Sequence, residues 1–380
     1  MYLDRRRRRR RGRAFLVRVL VLMVALAAGV YFVNTRAHLI RNPLVPPEPT
    51  PTPTRTALSY LLEAQTMYQE GRLDKAVAAY REVVAREPDN VEAYAAMARL
   101  LAWRGRTREA VEMARKAVDL GDENPMNLAI LSMTLDWDGQ YDEASEVALK
   151  AVELAPDLAE AHAYLAEVFV DRGNWHAALE EARLAVSLDD QSVDAQRNLG
   201  YVLEMQGRYR EAIEAYEQAL QLHPKLSHIY VGIGRNYIAL GDYASAIEWY
   251  QRGIEAAPES PDGYDALGWL YTSQQDVDQG IAQLRKATEL DPEYGTAWAH
   301  LGVAYFRRRN YEGAIEAFDK AFALGIVDDE YYYYTLGLSY IYIEDCDNGI
   351  EWMNKALELN PQSGPALHGI KLCEERSTDR

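Results

Sequence analysis

From residue 57 to residue 363 the apolar positions recur at helical spacing in blocks of constant length. In one block Leu199, Tyr201 and Leu203 stand against Ile213, Tyr216 and Leu220, so the block reads as two amphipathic helices joined at a turn. The turn is marked by glycine, which returns at 71, 105, 139, 173, 207 and 241, a step of 34. Ala76, Ala110, Ala144, Ala178, Ala212, Ala246, Gly280 and Ala314 follow in phase. Pro88, Pro156, Pro224, Pro258, Pro292 and Pro361 close most blocks. No stretch has the alternation of a strand, and the pattern predicts an all-α chain of helix hairpins.

The 34-residue blocks resemble the tetratricopeptide repeat family, whose pattern is Trp, Leu-Gly, Tyr, then Ala, an aromatic and Pro. One unit offers Trp298, Leu301, Gly302, Tyr305, Tyr311, Ala314, Phe318 and Ala321. Another offers Tyr230, Ile233, Gly234, Tyr237, Gly241, Tyr243, Ala246, Tyr250 and Pro258. Nine units begin at 57, 91, 125, 159, 193, 227, 261, 295 and 330, followed by a capping helix and tail over 364–380. The resemblance implies a right-handed α-α superhelix with a convex and a concave face. Small residues such as Gly200 and Gly234 are expected to face Ala212 and Ala246 and let the helices approach closely.

Several positions depart from the family pattern. Asp122, Asp190 and Ile326 stand where the closing proline belongs, and Gln275, Arg309 and Glu344 replace the turn glycine. The eighth unit has an extra residue between Leu324 and Glu330, and the first has Glu63-Ala64 in place of Leu-Gly.

A different pattern precedes the repeats. Arg5 to Arg11 and Arg13 form a basic tail over 1–13, and residues 14–33 are apolar except for Arg18. A helix of that length spans ~30 Å, the thickness of a bilayer core. The arginine bias places the N-terminus in the cytoplasm and the repeats outside it. An uncleaved signal anchor accounts for the aromatic far end of the run. A cleaved signal peptide, using Ala25-Leu26-Ala27, is the alternative. A nuclear-localisation arm would leave the apolar run unexplained, and Gly12 breaks the likeness to a twin-arginine signal. Residues 34–56 form a linker whose six prolines from Pro43 to Pro53 favour extended polyproline II.

Charge then separates the two parts. Residues 1–56 carry 12 Arg against Asp4 and Glu48, whereas the remaining 324 residues carry 29 basic and 56 acidic side chains, net −27. So acidic a body repels phosphate backbones, and no nucleic-acid partner is expected. The chain holds no glycine-rich phosphate loop, and its 7 His are scattered without metal spacing, so no metal, cofactor or catalytic residue is expected and the chain is read as a non-enzyme. His223 and His228 flank Pro224 and are assigned a structural or solvated role rather than that of a ligand pair.

The resemblance implies that ligands lie along the first helices at their second, fifth, ninth, twelfth and thirteenth positions. Those positions hold Arg99, Trp103, Met133, Trp137, Arg197, Tyr201, Met205, Arg235, Trp269, Phe306, Arg307, Tyr331, Tyr334 and Tyr342. Aromatic and Arg side chains on a groove suit protein recognition, and the expected function is a membrane-tethered scaffold for a peptide or partner protein. Packing of some of these residues on neighbouring helices is the competing reading. Leu61, Ala95, Ala129 and Glu92 stand where the family's carboxylate-clamp members need Lys and Asn, and only Asn198 fits an asparagine ladder. The alternatives are a carbohydrate module stacking sugars on Trp103, Trp137 and Trp269, an accessory array for an enzyme on another chain, and a cytoplasmic adaptor if the topology is reversed. Cys346 and Cys373 are brought near each other by antiparallel packing, as a candidate disulfide or as two buried thiols.

Overall fold

The computed structural model describes residues 4–36, 55–121, 123–326 and 329–378, with side chains for 15–35, 55–121, 123–326 and 329–375. Every regular element among the described residues is a helix. Helix α1, Asp4–Arg36, forms a unit of its own with the residues up to Thr54. It contains Phe15–Thr35, a 21-residue stretch long and apolar enough to cross a membrane once, a property that a signal sequence shares. The helix runs three residues into the segment assigned to the linker. Residues 37–54, with all six linker prolines, lie outside the described residues, as does Asp122.

Residues 55–380 form the second unit. Its first helices are α2 (Ala57–Gln69), α4 (Val91–Trp103), α6 (Pro125–Trp137), α8 (Ala159–Asp171), α10 (Val193–Met205), α12 (Ser227–Ala239), α14 (Asp262–Ser273), α16 (Gly295–Arg307) and α18 (Glu330–Tyr342). Each pairs with a second helix: α3 (Leu73–Arg86), α5 (Thr107–Leu120), α7 (Tyr141–Leu154), α9 (Trp175–Leu188), α11 (Tyr209–Leu222), α13 (Tyr243–Ala256), α15 (Val277–Leu290), α17 (Tyr311–Ala323) and α19 (Cys346–Leu359). Hairpins stack on their neighbours to make a solenoid, and α20 (Gly364–Thr378) covers the last.

Local chemistry explains the hairpin. Asn90, Ser192 and Asp345 cap helix N-termini by accepting a backbone N–H with the side chain. At the turn, the N–H of Gly105 reaches the carbonyl of Ala102 and that of Arg106 the carbonyl of Leu101, the paired bonds that end a helix through one left-handed residue. The same bonds recur at Gln275, Arg309 and Glu344, which adopt positive φ of 69°, 63° and 68° despite their side chains.

Close approach of the paired helices brings small residues together, as expected, at Gly268 with Gly280 and at Gly337 with Gly349, where an added Cβ would lie about 3 Å from the other glycine's carbonyl. In other hairpins an aromatic ring also fills the space. A Cβ on Gly200, Gly234 or Gly302 would meet the ring of Tyr216, Tyr250 or Phe318, one turn beyond the small residues Ala212, Ala246 and Ala314. In these three hairpins the missing side chain makes room for an aromatic ring.

The solenoid also closes on itself. A Cβ on Gly71 would lie 2.3 Å from the carbonyl oxygen of Lys225, and the ring of Tyr68 sits 4.7 Å from His223. Arg72 and Lys75 reach Glu259 at 2.8 and 2.9 Å, and Arg106 reaches Glu293 at 3.0 Å. The first two hairpins therefore lie against the fifth to seventh, with the first helices between them facing inward.

Candidate functional site

The centre of this closure is Arg104, the residue before the second turn glycine. Its side chain is 1% exposed and donates to Asp74 at 3.2 Å, Asp262 at 2.8 Å and Asp291 at 2.6 Å. Burial alone would push the Asp262 carboxyl up. Arg104 and the hydroxyls of Ser227 and Ser260 more than offset this, and Asp262 titrates below the usual carboxylate range.

Inside the closure lies a cavity of about 400 Å³. Its walls include Trp103, Trp137, Tyr201 and Tyr294, and its charged lining is Arg104, Arg197, Arg235, Glu167, Asp171 and Asp262. Glu167 is 3% exposed and receives Trp137 Nε1 at 2.9 Å and both terminal nitrogens of Arg197 at 2.9 and 3.1 Å. The Arg197 guanidinium lies 4.9 Å from the Trp137 ring centre. Tyr201 donates its hydroxyl to Asp171 at 3.1 Å. Arg235 pairs with Glu204 at 3.1 Å, which also receives the Tyr216 hydroxyl.

Two polar groups on the cavity wall lack partners among the described residues. Trp103 is buried, and its Nε1 donor finds no acceptor. Both ring nitrogens of His228 are buried and unpaired, and burial holds this imidazole neutral, with its pKa lowered to about 3. Asp136 accepts no hydrogen bond; burial beside Glu167 and Asp171 pushes its pKa up to about 9, and the proton it keeps is shared with Asp171. His223 is likewise buried, with both nitrogens unpaired, so neither histidine beside Pro224 is solvated.

The fourteen residues expected on the groove divide into two groups. In the first, Met133 is fully buried and Trp103 is packed under His228 at 5.1 Å, so both belong to the core. Arg99 is drawn to Asp194 at 3.2 Å and stands over Trp103. Trp137, Arg197, Tyr201 and Arg235 line the cavity, and Met205 is exposed. Arg99 and Trp103 thus meet distant parts of the chain because the superhelix curls back over them, whereas Trp137, Arg197, Tyr201 and Arg235 are partnered from the neighbouring repeat. The second group lies on α14, α16 and α18. His300 stacks on Trp269 at 4.3 Å and is held by Asp265 at 2.8 Å. Phe306 stacks on Tyr342 at 6.1 Å, Tyr331 meets Tyr334 edge-on at 5.4 Å, and Arg307 donates to the carbonyl of Thr272 at 2.7 Å. These aromatics are half-buried, with Tyr342 exposed.

Acidic residues were absent from the expected set. Asp194, Glu167, Asp171, Asp262, Asp265 and His228 occupy the same second, fifth, ninth and thirteenth positions of their first helices. The positional rule reaches them once acids are counted beside aromatics and arginines. Nothing local marks Arg104, whose buried partner Asp262 is 158 residues away.

At the far end Cys346 and Cys373 are disulfide-bonded, joining the start of α19 to the late part of α20. No group of three or more His, Cys, Asp or Glu arranged to hold a metal occurs among the described residues.

Comparison with known proteins finds the family described as Tetratricopeptide repeat at residues 67–126, 138–193, 191–259, 266–326 and 331–363. No curated protein matches. The chain is similar to a chain in the crystal structure of the APC/C hetero-tetramer Cut9-Hcn1, with TM-score 0.58 and 18% identity over 83% of this chain and 64% of that one. It is also similar to yeast Tom70, with TM-score 0.56 and 15% identity over 85% of this chain and 89% of that one. At these identities the likeness is one of fold.

Proposed function

Because the chain belongs to the tetratricopeptide repeat family, whose solenoids typically serve as protein-interaction scaffolds, we propose that it is a non-catalytic, membrane-tethered scaffold that takes a peptide or partner protein on its concave face. Phe15–Thr35 is the tether, with the arginine-rich end in the cytoplasm and the repeats outside it. The observation that carries the docking site is the aromatic row on α14, α16 and α18, with Trp269, Phe306, Tyr331 and Tyr334 half-buried and Tyr342 exposed. Such rings bring large contact area at low entropic cost, the usual basis of protein hot spots.

The carbohydrate reading has less support. Trp103, Trp137 and Trp269 each have one face covered, by His228, Arg197 and His300 respectively, which hinders stacking on sugar rings.

Two measurements test the proposal. External protease applied to intact cells or spheroplasts should trim the repeats and leave the anchor; protection until lysis would favour a cytoplasmic adaptor. Partner capture by the full chain should weaken about tenfold or more on Tyr334→Ala, a change at a half-buried ring. Unchanged affinity for that variant and for Tyr342→Ala would remove the aromatic row as the docking site.

A further inference from the structure

We propose that the interior cavity is a binding site for an organic cation, the guanidinium or ammonium of an arginine or lysine side chain carried by the docked peptide. This rests on the reading of the concave face as a peptide site and names the chemistry of its ligand.

The first argument is charge. Around the cavity Arg104 is answered by three carboxylates, Asp74, Asp262 and Asp291, whereas Arg197 and Arg235 are each answered by one, Glu167 and Glu204. Asp171 lines the cavity, is exposed, and receives the Tyr201 hydroxyl and a hydrogen bond from the protonated Asp136, with no basic partner among the described residues. The charged lining itself is balanced, three arginines against Glu167, Asp171 and Asp262, but Asp171 is the one of these carboxylates that no arginine answers. A partly enclosed cavity strengthens its attraction for a cation relative to open water.

The second argument is the wall. Trp137 and Tyr201 already hold one guanidinium, that of Arg197, at 4.9 and 6.0 Å from their ring centres. Aromatic faces attract cations, and a second cation entering beside Asp171 meets the same rings. The buried Trp103 Nε1, on the same cavity and without an acceptor, suits a carbonyl of the ligand backbone. A volume of about 400 Å³ admits a long side chain with its adjoining peptide groups.

The test uses the full chain in lipid nanodiscs and two small probes, N-acetyl-arginine amide and N-acetyl-citrulline amide, which share a shape and differ in charge. Calorimetric titration should show the arginine probe binding about tenfold or more tighter than the citrulline probe. Asp171→Asn should abolish that difference and Asp171→Glu should keep it, with circular dichroism reporting that both variants fold. Equal binding of the two probes, no saturable binding of either, or a preference that survives Asp171→Asn would overturn the proposal. Failure here, with partner binding still lost in Tyr334→Ala, would leave the docking proposal standing. Cation preference retained while Tyr334→Ala and Tyr342→Ala change nothing would remove the aromatic row alone.

Discussion

Arg104 Nη1 donates to Asp262 Oδ1 at 2.8 Å across 158 residues of sequence, and this bond ties the second hairpin to the seventh. The neighbouring pairs of Arg72 and Lys75 with Glu259, and of Arg106 with Glu293, are open to solvent and weakened by its screening. Arg104 is different because its buried charge compensates Asp262 and Asp291, both nearly buried themselves.

Arg104→Met should therefore cost about 3–5 kcal/mol, since it leaves carboxylates buried without their cation. Contacts along a solenoid are local, so the hairpins should persist while the closure opens. Small-angle scattering should show a larger radius of gyration at unchanged helix content. An unchanged radius together with an unchanged urea midpoint would mean that packing around Tyr68 and Trp103 suffices to hold the closure.

The hairpins were legible in the sequence because each rests on contacts within one period. A glycine at 105 and a tyrosine at 216 are visible as repeated positions; Gly105 bonds to Ala102 in its own turn, and Tyr216 packs on Gly200 and Gly232, both within half a period. The closure was not legible, because Arg104 meets Asp262 only after the superhelix has turned, and that depends on small rotations summed over five hairpins. For the same reason the family's groove positions do not reveal that Trp103 is packed under His228. The acids Glu167 and Asp171 occupy those positions too, but a groove defined by aromatics and arginines does not include them.

Asp136 should make the repeats less stable as pH rises. Its carboxyl is held protonated to about 9 in the folded chain, against 3.8 for the free side chain. Between these values the unfolded chain has lost a proton that the folded chain keeps, so the contribution is fully present below about pH 4 and is lost towards pH 9, by up to ~1.4 kcal/mol per pH unit. Asp136→Asn removes the titration. Urea midpoints at pH 5, 7 and 9 should fall less steeply for the variant than for the natural chain, and parallel slopes would contradict the assignment.

Gln275, Arg309 and Glu344 hold a left-handed backbone that costs a residue with a Cβ about 1–2 kcal/mol. Gly71, Gly105 and Gly139 occupy the equivalent turns of earlier hairpins. Each of Gln275→Gly, Arg309→Gly and Glu344→Gly should stabilise the chain by up to about 1 kcal/mol, the gain being reduced by glycine's greater freedom when unfolded. Thermal unfolding of the triple variant should move upward; a downward shift would show that the side chains contribute more than the turn geometry costs.

The bond between Cys346 and Cys373 closes a sequence separation of 27 residues and fastens α20 against the last hairpin. Cys373 is buried beside Met353 and Ala356, so the cap also covers apolar surface that would otherwise face water. A cross-link over a loop of this size contributes about 2–4 kcal/mol, chiefly by restricting the unfolded chain. Cys346→Ser with Cys373→Ser should therefore loosen the C-terminal end while leaving the distant hairpins unchanged, as expected where stability is a sum over neighbours. Hydrogen exchange should rise in α19 and α20 and stay the same in α4 to α8. The bond also requires an oxidising compartment, which the proposed topology supplies, so the thiol state of protein isolated from cells under acid quench bears on the topology as well. Two free thiols in protein trapped this way would argue for repeats in the cytoplasm; a blocked pair would agree with repeats outside it.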